Sequence, residues 1–531
     1  MNLINDPWLQ LGWRDGREGP GRLVDVVDPD VVALLAPRAD FRGAMYQWML
    51  GVLQLAFQLE HEEDWQDMWF IPPDKAQLQA RLAPWAEFFE LAGDGPRFMQ
   101  DLVPGDDFGL KDIRDLLIDQ GSNSNLHFNK PDTINGLCPC CAAQALYCLQ
   151  QNAPSGGVGH RVSMRGGGPL TTLLEPQLEA GAQPSLWQRL WLNVLPLDQL
   201  LQPGGDLAGL EDQRPARILP WVAPTRTSEK NTGSPTGPVD AHPLQAYWGM
   251  PRRIRLVWES ARPGTCDLCG AQTETLLTQY RTKNYGVEYQ AWEHPLTPYY
   301  HDPKNKTLPL SAKGQKGGIG YRHWLGLTLG RSDRQPAPAR LMHYYLNTRA
   351  YEFMRIGAPL EARVWVFGFD CDNMKARSWY DATLPVLHVL PERLAGVQAD
   401  VGSLLEVAHE AARQLHTAVK GAWCDRPKDM NDEPAVPQSL WAATENLFYQ
   451  QLRQLAADDS PATRAAVFKT WLAGIRATAL RLFEDWSVGE YEKGWDIKRL
   501  VDARQRLERE LLFAKPMKQL HTYIKQQEVT T

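Results

Sequence analysis

No stretch of the chain approaches the roughly 18 consecutive apolar residues that a membrane-crossing helix requires. The opening Met1-Asn-Leu-Ile-Asn-Asp-Pro7 lacks the basic and apolar regions of a secretion signal, so a cytoplasmic protein is expected. Also missing are the short arrangements that carry catalysis: there is no nucleophile elbow, no H-E-x-x-H, no Walker motif and no Ser/His/Asp order. A non-catalytic protein is the expectation, with a nucleic-acid hydrolase built on dispersed carboxylates as the alternative. Nor is there an excess of positive charge. With 56 Lys and Arg against 63 Asp and Glu, the net charge of -7 argues against wholesale coating of nucleic acid and leaves only local patches.

One such patch is visible. Between His301 and Arg340 stand Lys304, Lys306, Lys313, Lys316, Arg322, Arg331, Arg334 and Arg340 against Asp302 and Asp333, a local balance of 8 - 2 = +6 that suggests one polyanion-facing side.

Eight cysteines in a chain with no secretion signal read as reduced thiols plus a metal site rather than as a disulfide framework. Cys138-Pro-Cys-Cys141 and Cys266-Asp-Leu-Cys269-Gly270 are two C-x-x-C pairs more than a hundred residues apart. Brought together, Cys138, Cys141, Cys266 and Cys269 make a closed structural zinc site that staples remote segments and leaves no open position for catalysis. Unmetallated thiols are the other reading. Cys148, Cys371 and Cys424 have no close partners and read as ordinary buried thiols.

At 531 residues the chain exceeds a single core and divides into two to four domains. Leu23-Val-Asp-Val-Val27 reads as a strand. Asp40 stands as an N-cap before Phe41, Met45, Trp48, Met49, Val52 and Leu55 at helical spacing. Helices are expected over 74–92, 111–119 and 186–195, and strands over 169–173, 254–258, 287–292, 325–329 and 364–369. Residues 203–243, rich in Pro, Gly, Ser and Thr, read as a surface excursion or linker. Four amphipathic segments, 394–422, 438–457, 461–486 and 490–514, predict a four-helix bundle. The fold class is therefore α+β: a large mixed domain over 1–390 holding the zinc site, then the bundle over 391–531.

The glycine-rich stretch Gly156-Gly157-Val-Gly159-His160-Arg161 through Arg165-Gly-Gly-Gly168 fits neither a Walker nor a dinucleotide fingerprint. It still permits close backbone approach to a ligand, with Arg161 and Arg165 beside it for phosphates; a flexible surface turn is the bland alternative. The polar tract 121–132 reads as a loop leading into the first cysteine pair. His61-Glu-Glu-Asp64 reads as a solvated helix face, and His294 and His301 as structural.

Taken together, the opening Met-Asn-Leu-Ile-x-Asp-x-Trp8, Asn129-Lys130-Pro131, the first cysteine pair, the Ala-Pro154 glycine loop with Pro169-x-Thr171-Thr172, the Cys266/Cys269 knuckle and the helical end resemble the large subunit of the type I-E CRISPR surveillance complex Cascade, the CasA family. The resemblance spans essentially the whole chain. It implies a non-catalytic subunit that reads the protospacer-adjacent motif of double-stranded DNA through the minor groove, starts duplex opening and helps recruit a helicase-nuclease. By position it places the DNA-contacting loop at Gly156, Gly157, Gly159 and His160, and a lysine finger at Lys283 or Asn284, the ungapped match falling on Asn284. A wedge falls at Asn373 and Met374, where a family example has glutamine and alanine. It further implies that His127, Phe128, Asn129 and Lys130 reach toward the guide RNA, with the other Cascade subunits as partners.

Overall fold

The computed structural model describes residues 1–120, 133–178, 181–203, 205, 208–302, 304, 306–330, 336–372, 375–424, 426, 433–487 and 496–530. They form two compact units, Met1–Gln315 with Pro338–Thr383, and Lys316–Ala337 with Leu384–Thr531. No helix among the described residues is long and apolar enough to cross a membrane.

In the first unit, helix Ala39–Ala56 is buried on every side, as its lack of a polar face demands. Gly43 and Gly51 allow aromatic rings to press on it, since a Cβ there would lie 2.7 Å from Phe367 and 2.8 Å from Trp248. The N-cap is Arg38, not Asp40. Asp40 sits inside the first turn, buried and held by Arg38 at 2.9 Å. Much of the tryptophan content collects beside this helix. Trp8 meets Trp48 edge-on at 5.1 Å, and Trp221 meets Trp248 at 5.9 Å, in a cluster closed by Phe89 and Phe98.

Several local expectations fail where tertiary packing overrides propensity. Leu23–Val27 is a 3-10 turn rather than a strand, and 111–119 is a short strand, Gly109–Asp112, running into a 3-10 turn. The expected helix over 74–92 starts as foreseen at Asp74, whose carboxylate caps Gln77 N, but after Leu82 it tightens into 3-10 geometry at Pro84. Residues 287–292 form no strand, and 325–329 falls on helix Trp324–Leu327. The stretch 203–243 is not merely a surface excursion, because Ile218, Leu219 and Trp221 are fully buried. His61-Glu-Glu-Asp64 is only partly solvated. Glu62 pairs with the fully buried Arg349 at 2.7 Å, whose guanidinium lies 3.7 Å over Trp65.

Two three-stranded sheets position the candidate site. In one, Gln279–Lys283 is the central strand between Gly109–Asp112 and Arg253–Leu256, with Lys283 opposite Arg253 and Lys111 opposite Tyr280. In the other, Glu361–Asp372 pairs with Thr171–Gln177 and with Lys375–Pro385.

The second unit is helical, and where four bundle helices are expected over 391–531 the described residues form five. Pro391–Trp423, Ala435–Ala457, Pro461–Ser487, Ile497–Phe513 and Lys515–Thr530 are five helices, the last divided from its predecessor at Ala514 just before Pro516. Proline early in a helix is tolerated because the first turn's N–H groups have no intrahelical acceptor. The segment 316–337 belongs to this unit too. Tyr321 stacks on Phe448 at 4.5 Å and hydrogen-bonds Thr444 at 2.8 Å. The basic span is thereby divided between the units, and Arg340 is consumed by the carbonyls of Gln199 and Leu201. Arg331 and Arg334 lie outside the described residues.

Candidate metal centre and nucleic-acid interface

Cys138 is the N-cap of helix Pro139–Asn152, with proline at N1 and its Sγ accepting from Cys141 N at 3.4 Å. The chain places both thiols of the first pair at a helix N-terminus, where the positive end of the macrodipole favours thiolates. The second pair sits on the turn between strands Arg262–Thr265 and Gln272–Leu276. That turn closes through Gly270 N donating to Cys266 O at 2.9 Å, and Gly270 takes the left-handed conformation, φ +74°.

Backbone pairing brings the two remote segments together. Leu137 and Leu277 exchange two hydrogen bonds of 2.9 Å, and Asp267 Oδ2 accepts from Asn135 N at 2.7 Å and Gly136 N at 2.8 Å. The four sulfur atoms of Cys138, Cys141, Cys266 and Cys269 consequently lie within 4.8 Å of one another, with Cys138 and Cys269 3.7 Å apart. Tetrahedral zinc with Zn–S of about 2.3 Å spaces its sulfurs by roughly 3.8 Å, so donor chemistry and spacing are compatible with a closed zinc site. With the thiols bare, Cys138 ionises at the expense of Cys141 and Cys269. Hydrogen bonds from Cys140, Cys141 and Cys266 drive Cys138 far down, while burial pushes Cys269 up to about 11. A divalent cation relieves that conflict.

The glycine loop and the strand end at 283–284 meet. Asn284 Nδ2 donates to Val158 O at 2.6 Å, and Tyr285 N donates to Gly159 O at 2.7 Å. Gly159 is left-handed, φ +74°, and a Cβ there would lie 2.8 Å from Asn284 Cβ and 3.0 Å from Tyr285. Val158 stands 78 % exposed at the tip, and Gly157 is also left-handed, φ +90°. The Lys283 ammonium is held by Asp107 at 2.6 Å, with Glu229 at 3.8 Å. His160 is half-buried, and burial lowers its pKa, with Arg252 and Lys111 adding to the effect.

Arg165, expected to face phosphates, is instead 3 % exposed and bound by Thr171, Thr297, Gln47 and Gln151 O. Burial leaves it no route to a ligand. Arg161 is half-buried and spent on Ser228 and on Glu288 at 3.0 Å. Neither Asp107 nor Glu229 carried any signal in sequence, since each reaches Lys283 only across a long stretch of chain. His294 is structural as expected, buried with its Nδ1 accepting from Leu296 N.

Asn373 and Met374 lie outside the described residues, as do His127, Phe128, Asn129 and Lys130. The strands flanking 373–374 are described. Their end is approached by glycine backbone, Gly314 bridging Asp370 and a Cβ at Gly168 falling 2.7 Å from Phe369 O.

Fold and cysteine site define a large mixed α/β protein in which distant segments meet at a four-cysteine cluster and which carries a separate helical unit. The family model for CRISPR-associated protein Cse1 matches residues 2–482. The chain therefore belongs to the Cse1 family, the large-subunit family of type I-E Cascade. Among solved structures, Thermobifida fusca Cse1 is similar at 18 % identity and TM-score 0.68, covering 99 % of this chain and 98 % of that one. Thermus thermophilus CasA is similar at 18 % identity and TM-score 0.66, with 96 % and 99 % covered. A chain of a CRISPR RNA-guided surveillance complex is similar at 17 % identity and TM-score 0.64, with 97 % and 99 % covered.

Proposed function

We propose that this chain is the non-catalytic subunit that inspects double-stranded DNA for the protospacer-adjacent motif, works with the guide RNA and the other Cascade subunits, and helps recruit a helicase-nuclease that does the cutting. The observation that carries the reading is the coupling of the glycine loop to the strand end at 283–284. Asn284 and Tyr285 grip the carbonyls of Val158 and Gly159, so loop and finger move as one piece. Asn284 then positions the loop, while Lys283 supplies the cation.

The minor groove offers a degenerate pattern of acceptors, so a backbone loop and one long cation read it tolerantly, admitting several related motifs. Gly157 and Gly159 let the main chain enter where a side chain would collide. Insertion of Asn373 and Met374 beside the motif unstacks a base step at a cost of a few kcal/mol and begins the opening from which the guide pairs. Lys283 must leave Asp107 to reach DNA, where a cation neutralising phosphate charge releases counterions and so makes binding salt-dependent. Zinc at Cys138, Cys141, Cys266 and Cys269 is structural in this reading. It holds the loop upstream of the glycine stretch against the hairpin upstream of the finger.

In the assembled complex, Gly159→Leu and Lys283→Ala weaken binding to a motif-bearing duplex by tenfold or more, on the order of the loss of one buried charged or close contact, and spare a target already opened. Equal losses on the two substrates overturn the minor-groove role.

A further inference from the structure

Four arginines are buried among the described residues: Arg165, Arg252, Arg253 and Arg349. Three are compensated. Arg253 pairs with Asp101 at 2.6 Å, Arg349 with Glu62 at 2.7 Å, and Arg165 is ringed by four hydrogen-bond acceptors. Arg252 has no such compensation. At 9 % exposure it donates from Nη2 to Pro154 O at 2.5 Å, and its Nε has no partner. A buried guanidinium without an anion and with an unpartnered Nε is costly, because burial removes hydration that nothing replaces.

Arg252 lines a cavity of about 240 Å³ behind the glycine loop. Its Nη1 lies beneath Gly156, 2.5 Å from where a Cβ would stand, so only glycine leaves that edge of the guanidinium clear. Lys111 and His160 line the same cavity, as do Tyr280 and Thr282. Lys111 projects from the neighbouring strand opposite Tyr280 and is exposed. One carboxylate, Asp115, also lines the wall and has interactions of its own. Two cations lining one cavity, beside a half-buried imidazole whose protonation both disfavour, make a place that attracts a single compact anion.

We propose that this cavity is a phosphate site, in which Arg252 and Lys111 take one backbone phosphate of a bound nucleic-acid strand directly behind the loop that inspects DNA. The phosphodiester is common to the opened DNA strand and to the guide RNA, and binding assays on each separate the sources. The inference rests on the proposed function only in that the chain handles nucleic acid.

The test uses the full chain in its complex and measures affinity against salt for three probes: a motif-bearing duplex, a pre-opened target and the guide RNA. Lys111→Gln, at an exposed position that should not disturb folding, lowers the slope of log K against log salt by about 0.9 on duplex, or about 0.7 on a single strand, for whichever probe uses the site. It weakens that probe about tenfold, as loss of one charge-assisted hydrogen bond does. Arg252→Gln does the same, and Arg252→Lys restores most of the slope. Unchanged slopes on all three probes with Lys111→Gln overturn the proposal, whether or not Arg252→Gln folds. That result is distinct from failure of the minor-groove role, which Gly159→Leu and Lys283→Ala decide.

Discussion

The two units are built on different rules. The helical unit packs through apolar stripes whose spacing is periodic along each long helix, with Val467, Phe468, Trp471, Leu472, Ile475, Ala479, Leu482 and Phe483 buried along one of them. The mixed unit is held by contacts between residues far apart in the chain: a four-cysteine cluster joining 138 to 269, a hydrogen bond joining 158 to 284, an ion pair joining 62 to 349. A stripe loses stability through the cavity a truncation leaves, whereas a remote polar contact loses it through the charge or donor left unpaired.

The largest expected effect breaks this contrast at its strongest point. Zinc per chain measured by elemental analysis is near one, and Cys266→Ser takes it to zero and destabilises the mixed unit by more than about 5 kcal/mol, with the helical unit's far-ultraviolet melting unmoved. Zinc near zero in freshly reduced wild-type protein would contradict the staple.

Next come two cuts of similar size by opposite mechanisms. Glu62→Ala strands the buried Arg349 and costs about 3–5 kcal/mol in urea unfolding. Trp471→Ala costs about 3–5 kcal/mol through a cavity, since its ring is fully buried against Phe448 and its Nε1 donates to Leu404 O. Double replacement Glu62→Met with Arg349→Met recovers most of the first loss, because removing both charges leaves none unpaired; no repair of that kind exists for the second.

A smaller loss, about 1–2 kcal/mol of backbone strain, follows Gly159→Ala, whose Cβ must adopt φ near +74° against Asn284. Its duplex affinity falls further than its stability, which a folding assay run beside the binding assay separates.

A pH titration tests both units at once. Burial lowers His242 to about 4 in the mixed unit and His323 to about 3 in the helical one. Both are neutral in the fold, so their contribution is fully present above the unfolded value near 6.5 and is lost as pH falls from there toward 4 and 3. Each histidine removes about 1.4 kcal/mol per pH unit in that window. Urea midpoints that stay flat between pH 7 and 4.5 would exclude this common acid lability.

Legibility followed the same division. The helical stretches announced themselves by spacing, and Ser460-Pro461 marked a start that the structure keeps. The unforeseen fifth helix follows from Pro516, which opens a new helix instead of merely closing an old one. In the mixed unit the two cysteine pairs were readable because metal chemistry constrains both identity and spacing. Arg165 misled because an arginine among glycines looks free, and only burial among Thr171, Thr297 and Gln47 showed otherwise. Arg252 was invisible, since no spacing rule tells a paired buried cation from an unpaired one.

By itself, the amino-acid order determined the thiol pairs, the family, the glycine loop and the amphipathic helices, because each of these is a matter of residue type at short range. Tertiary structure alone decided that Asn284 would brace Val158, that Asp107 would hold Lys283, and that Arg252 would face a cavity without a carboxylate of its own. Those are meetings between segments distant in the chain, and which groups end up paired depends on how the sheets bring them side by side.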